Sequence, residues 1–326
     1  MSQYARILGT GICLPERVVT NRDLEKMVST SDEWIRERTG VVERRVSDPD
    51  TAASDLAVVA ATEAMHRAGV TPDEIEAVLV ATITPDQIFP ATACIVQHRL
   101  GIRNAMAVDL SAACTGFLYA LSVAQAYIES GRYRRILVVG VDLLTKTVDW
   151  GDRATCVLFG DGAGAAVIGP DPDHGVLHTI LGADGQYADL IIQKAGGSRI
   201  PISREAIDAG QHYIRVKGRE VYRHAVTVMA SVAVDCLNHS GLSKDDIRWL
   251  IPHQANLRII EGVSERLEIP MDRFVVNVQK YANTSAATIP IALHEAIVDG
   301  RIVEGDHVLM VSFGSGLTWG ASVMNF

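Results

Sequence analysis

The chain has 326 residues, 48% hydrophobic and 21% charged, with a formal net charge of −9. That length exceeds what one hydrophobic core usually serves, so two halves or two domains are expected. An acidic total speaks against nucleic acid as a partner, and no apolar run is long enough to cross a bilayer.

The five cysteines (Cys13, Cys94, Cys114, Cys156, Cys236) are odd in number and widely spaced, with no C-x-x-C pair. This argues against a disulfide framework or a zinc site and for a reducing compartment. The histidines are scattered without ligand spacing, so no metal is expected. Met1-Ser2-Gln3-Tyr4 leads straight into Ile7-Leu8-Gly9 with no signal-peptide core. A cytoplasmic location is the expectation.

In chain order, Ala5 to Gly11 reads as a strand and Asn21 to Lys26 as a short helix. Ser31 is placed to cap a second helix. Ala52 to Gly69 has helical apolar spacing and ends on a glycine. Ile75 to Ile83 reads as a buried strand and Pro90 to Leu100 as a helix. Met106 to Leu110 is a strand leading into Ser111-Ala112-Ala113-Cys114-Thr115-Gly116. The helix that follows carries no charge until Glu129 and predicts burial on all sides. Ile136 to Gly140 is another apolar strand. Val157 to Ile168, around Gly160-Asp161-Gly162-Ala163-Gly164, predicts a hairpin. That turn lacks the Lys-Ser/Thr pair of a phosphate loop.

Gly169-Pro170-Asp171-Pro172-Asp173-His174-Gly175 is the clearest boundary, with proline, glycine and charge together. Beyond it the pattern restarts. Ala68 to Ile75 is echoed by Ser240 to Ile247, Val108-Asp109 by Val276-Asn277, and Gly131-Arg132 by Gly300-Arg301. Two similar α/β halves, 1–170 and 171–326, are therefore expected. Packed about a pseudo-two-fold axis, they would bring equivalent turns together. The echo pairs Cys114 with Asn283 in Tyr281-Ala282-Asn283-Thr284-Ser285, and the turn after Ile75–Ile83 with Pro252-His253-Gln254-Ala255-Asn256.

Cys114, His253 and Asn283 are thus candidates to meet at one interface. A cysteine at a helix N-terminus is placed to favour the thiolate. Beside a histidine it is an activated nucleophile. His253 and Asn283 as two neutral donors would suit an enolate oxygen. A papain-like arrangement, with Asn orienting His, uses the same residue types. Singly, each has a plain structural role: a core cysteine, a strand-end histidine, a cap. Ser315, in Gly314-Ser315-Gly316, would add its N–H to that of Cys114 as an oxyanion hole.

Six motifs in order resemble beta-ketoacyl-acyl carrier protein synthase III, a family of the thiolase-like superfamily. They are Ser31-Asp32-Glu33-Trp34-Ile35 with Arg38-Thr39-Gly40, Ala112 to Phe117, Leu158 to Ala165, Pro252 to Asn256, Tyr281 to Ala286, and Gly316 to Gly320. The resemblance implies a five-layered αβαβα fold of two pseudo-symmetric halves and a homodimer. It implies that Cys114 takes the acyl group of a short acyl-CoA and condenses it with malonyl-acyl carrier protein as carbon dioxide leaves. His253 and Asn283 would stabilise the malonyl thioester oxygen.

No resident cofactor is implied, since CoA and the carrier's phosphopantetheine arrive with the substrates. By position, Thr30, Trp34, Arg38, Arg153 and Asn256 would bind CoA, with the adenine between Trp34 and Arg153. Gln254, Ala255, Asn256, Leu257 and Arg258, with Arg223 and Arg266, would bind the carrier protein. Phe89, Leu144 and Phe159 would line the acyl pocket, Phe89 from across the dimer. A thiolase is disfavoured because no Cys-Gly pair follows Cys236. An elongating synthase is disfavoured because Asn283 stands where it would carry a second histidine. A starter enzyme of a polyketide or quinolone pathway would share the triad. A silent carrier-protein binder would be expected to lack part of it.

Overall fold

A computed structural model describes residues 3–326. Two sheets lie back to back. The first has the strand order Tyr4–Cys13, Asp161–Asp171, Ile136–Leu143, Ala77–Ala81, Met106–Leu110. The second has Gly175–Ala183, Thr318–Asn325, His307–Gly314, Trp249–Pro252. Read in those orders, both run antiparallel, antiparallel, then parallel. The chain passes between sheets at 171–175, where proline, glycine and charge cluster. The fifth position of the second sheet, expected near Val276-Asn277, holds only an isolated parallel bridge between Leu250 and Phe274.

Five layers follow from which faces are apolar. Helices Gly116–Glu129 and Thr288–Val298 are sandwiched between the sheets. Phe117, Leu118, Leu121, Ile289 and Leu293 share one core with Leu79 and Val138 of the first sheet and Ile251 and Met310 of the second. Such helices carry apolar residues all round because no side faces water. Helix Ala53–Ala68 covers the outer face of the first sheet, and Gly218–Ser240 that of the second. The alanines Ala57, Ala60, Ala61 and Ala64 let the first of these lie close to its strands. Ser31 caps helix Asp32–Thr39 through the Trp34 amide, and Gly40 ends it in the left-handed conformation at φ 75°.

The hairpin expected around Gly160–Gly164 is instead one continuous strand, Asp161–Asp171, paired on both sides. Its glycines serve close packing. A Cβ on Gly164 would lie 2.8 Å from Pro290 Cβ, and one on Gly160 only 2.4 Å from the Tyr281 carbonyl oxygen. Gly140 on the neighbouring strand is tighter still, with a Cβ 2.3 Å from the Ala286 carbonyl oxygen. These positions let the second half dock on the first sheet. Gly140→Ala is expected to destabilise the protein by about 1–3 kcal/mol through overpacking. Thermal denaturation beside Gly197→Ala, where nothing lies within 4 Å, checks it. Equal midpoints for both variants would contradict this role.

Candidate active site

Each central helix is entered through the same backbone turn. Ala113 and Ser285 both take positive φ, 46° and 51°, inside short 3₁₀ turns at Ala113–Thr115 and Ser285–Ala287. Side chains seldom adopt this region, and it persists only where the surroundings fix it. The two turns superimpose in sequence as Ala113 with Ser285, so Cys114 corresponds to Ala286. The echo that paired Cys114 with Asn283 was three residues out of register. Asn283 corresponds to Ser111. The two are nevertheless brought together, because the turns meet where the halves abut.

Cys114, His253 and Asn283 line one cavity of about 770 Å³. Cys114 is held from the second sheet. Ser312 Oγ donates to the Cys114 carbonyl at 2.8 Å, and Thr318 Oγ1 to the Ala112 carbonyl at 3.1 Å. Asn283 is fixed at both backbone atoms, by Leu158 O at 2.9 Å and Gly160 N at 3.0 Å. Its Oδ1 accepts from the Ser285 amide at 2.8 Å, so the Nδ2 hydrogens remain for a ligand. His253 leaves strand Trp249–Pro252, its amide donating to Val311 O at 2.8 Å, and its Nδ1 lies 2.7 Å from Thr288 Oγ1. Nε2 is then the ring nitrogen left for the cavity. The Ser315 amide has no acceptor among the described residues, as an oxyanion donor requires, while its hydroxyl ties the turn to Ile191 O at 2.6 Å.

The electrostatics differ from the expectation at one point. Burial pushes the Cys114 thiol up to about 12, against the neighbouring Ser285 hydroxyl and Asn283 amide, and the charge of Asp142 pushes the same way as burial. The resting group is therefore a thiol. Desolvation and a nearby carboxylate outweigh the helix N-terminus, since a thiolate here would sit beside an anion in a poorly solvated place.

Asp142 was not foreseen. It is fully buried, and its Oδ1 accepts from Thr82 Oγ1, the Ile83 and Thr84 amides and Thr84 Oγ1. Its Oδ2 accepts from the Ala286 amide at 3.2 Å. Burial raises its pKa, but a ring of donors suits only the carboxylate. The Ser285 hydroxyl is buried beside both Asp142 and the thiol yet makes no well-formed hydrogen bond to either.

Burial drives His253 down to about 3 from an ordinary 6.5, so the imidazole is neutral across the physiological range. A lowered pKa keeps the neutral form intact as pH falls through 6.5. Decarboxylation of a malonyl-carrier substrate is accordingly expected to show no acid limb centred on the ordinary imidazole value. A pH–rate profile with an inflection between about 6 and 7 would contradict a neutral His253.

Around the cavity mouth the predicted residues divide. Arg38, Arg223 and Arg258 are exposed and line it, joined by Arg219, which the sequence had not singled out. Leu144 and Phe159 are buried in its wall. Trp34 and Arg153 do meet, with the guanidinium 4.6 Å from the indole centroid. Adenine would have to enter between two groups already in contact. Thr30 Oγ1 is buried with no partner among the described residues. Asn256 is half committed to structure, as Oδ1 caps the Arg258 amide and Nδ2 donates to Arg38 O at 3.1 Å.

Gln254 does not fit the carrier-binding role. It is 1% exposed, and its amide bonds Pro252 O, Val275 O and the Asn277 and Val278 amides. It ties the core behind His253 and presents nothing to a partner. Ala255 and Leu257 are half-buried, Leu257 packing on Gly40. Arg266 is exposed but lies away from the cavity. Phe89 is 83% exposed beside Ile88 and does not reach this chain's own cavity.

Family models for 3-oxoacyl-[acyl-carrier-protein (ACP)] synthase III match residues 108–185, and for its C-terminal part residues 237–326. A beta-ketoacyl-[acyl-carrier-protein] synthase III from Roseiflexus castenholzii is 50% identical over 327 residues, covering 100% of this chain and 99% of the relative. The crystal structure of 3-oxoacyl-[acyl-carrier-protein] synthase III from Aquifex aeolicus is 46% identical with a TM-score of 0.92, covering 99% and 100%. The priming beta-ketosynthase of the R1128 polyketide pathway is 35% identical with a TM-score of 0.92, covering 99% and 97%. With the fold, the paired turns and full-length identity in agreement, the chain belongs to the beta-ketoacyl-acyl carrier protein synthase III family of condensing enzymes.

Proposed function

We propose that the protein starts type II fatty acid synthesis by a two-stage condensation on Cys114. The thiol attacks the carbonyl of a short acyl-CoA, the carbon–sulfur bond to CoA breaks, and the thiol hydrogen leaves with the departing CoA sulfur as the acyl-cysteine forms. Ser315 N–H and Cys114 N–H hold the oxyanion. Malonyl-acyl carrier protein then enters the emptied cavity. Asn283 through Nδ2 and His253 through Nε2 stabilise the charge on its thioester oxygen as carbon dioxide departs. The resulting carbanion attacks the acyl-cysteine and the carbon–sulfur bond to Cys114 breaks, giving 3-ketoacyl-carrier protein and a Cys114 thiolate that takes up a proton from solvent to restore the thiol.

The observation that carries this reading is the opening of Cys114, His253 and Asn283 into one cavity, with the carboxamide's Nδ2 hydrogens left for a ligand. Arg38, Arg219, Arg223 and Arg258 at the mouth suit the phosphates of CoA and the acidic carrier in turn. Identity of 50% to a curated synthase against 35% to the polyketide priming enzyme favours the fatty acid pathway. The exposed Ile88 and Phe89 suit a homodimer in which Phe89 closes the partner's acyl pocket. No helix among the described residues is long and apolar enough to cross a membrane, and a cytoplasmic site of action is part of the proposal.

The test is stoichiometry. Protein given acetyl-CoA and malonyl-carrier protein should release CoA and carbon dioxide one for one with 3-ketoacyl-carrier protein. CoA release with no carbon dioxide and no new carbon–carbon bond would mean an acyltransferase without condensation.

A further inference from the structure

A neutral imidazole helps an enolate oxygen only if the nitrogen facing it carries the hydrogen. His253 is buried and neutral, so the tautomer decides whether Nε2 donates or repels. Among the described residues, the only side chain hydrogen-bonded to the ring is Thr288, the first residue of the second central helix, with Oγ1 2.7 Å from Nδ1. The same hydroxyl lies 3.0 Å from the Ser285 carbonyl, so its single hydrogen has two acceptors to choose between. The Ser285 carbonyl already accepts from the Thr288 amide. Nδ1, by contrast, has no other donor among the described residues. Giving the hydroxyl hydrogen to Nδ1 satisfies both acceptors; the reverse, with Nδ1–H donating to Oγ1 and the hydroxyl to the Ser285 carbonyl, also pairs these groups but leaves a bare Nε2 facing the oxyanion, which the reading above excludes.

We propose that Thr288 is a positioning residue that donates its hydroxyl hydrogen to His253 Nδ1 and so fixes the ring with its own hydrogen on Nε2, toward the cavity. The inference rests on the reading above that His253 stabilises the malonyl thioester oxygen. It adds the cause of that capacity. Thr288 is not part of the cavity lining. Its position at a helix start, rather than on a loop, holds the hydroxyl to the ring.

Two measurements decide it. In protein carrying isotope-labelled histidine, assigned by difference from His253→Gln, the ring should show a protonated Nε2 and a bare Nδ1. A protonated Nδ1 overturns the proposal directly, whatever the enzyme does. Thr288→Val, which keeps the shape and removes the hydroxyl, should slow malonyl-carrier decarboxylation by about 10- to 100-fold. Acylation of Cys114 by acyl-CoA should stay within about twofold, because that step does not use the hydrogen on Nε2. Thr288→Ser should restore decarboxylation. If Thr288→Val decarboxylates at the wild-type rate, or loses acylation to the same extent, Thr288 does not act through His253. If wild-type protein neither takes an acyl group nor decarboxylates, the reading of the active site fails, and the ring signal still judges Thr288.

Discussion

Replacing Cys114 by alanine is expected to reduce condensation by about 10³-fold or more, because no other group can hold the acyl fragment. The other cysteines cannot substitute. Cys156 and Cys236 are buried in the core, and neither they nor Cys13 and Cys94 line the cavity. The fold should be unaffected, since the thiol is a cavity wall and the turn's backbone is held by Ser312 at Cys114 and Thr318 at Ala112 whatever the side chain. The assay is CoA release and 3-ketoacyl product formation at equal protein. Turnover within tenfold of wild type would mean that the acyl group passes directly between substrates.

Asn283→Ala should separate the two stages. Loss of one preorganised donor to a developing oxyanion costs about 10²–10³-fold. That loss should fall on malonyl-carrier decarboxylation. Acylation by acyl-CoA should change far less, since the oxyanion of that stage is assigned to backbone amides. One complication is local. Asn283 Oδ1 also receives the Ser285 amide, so removing it loosens the turn that carries Ser285. Asn283→Asp keeps that acceptor and removes the donors, and it should be as impaired as the alanine variant. A fully active Asn283→Asp would show that the turn matters and the donors do not.

The same contrast explains what the amino-acid sequence made legible. Cys114, His253 and Asn283 stand at the ends of apolar segments, where polarity breaks a hydrophobic pattern, so they can be found without coordinates. Ser31 and Gly69 are found for similar reasons, because capping uses few residue types at fixed places. Asp142 was hidden inside an apolar strand, Ile136–Leu143, where a single carboxylate has no periodic signature. Ser285 and Thr288 belong to a run of small residues that reads as a helix start and nothing more.

Two expectations fail for separate local reasons. Glycine both turns a chain and admits a neighbour, so Gly160–Gly164 reads as a hairpin, whereas Gly160 packs on Tyr281 just before the strand and Gly164 on Pro290 within it. Gln254 follows His253 in sequence but faces away from it, because adjacent residues leaving a strand point to opposite sides. The fold was more legible than the site because layers depend on long apolar patterns, which tolerate small errors. The register between Cys114 and Asn283 did not tolerate one, and only the matched turns at Ala113 and Ser285 corrected it.

The central claim is that one thiol carries the acyl group from CoA to the carrier-bound malonyl unit. The most direct measurement is the intact mass of the protein after exposure to acetyl-CoA alone, followed by addition of malonyl-carrier protein. The account predicts one added acetyl group per chain, absent in Cys114→Ala, that disappears from the protein as 3-ketoacyl-carrier protein forms. An unchanged mass in protein that still condenses, or an acetyl group that persists when the carrier is added, would contradict it.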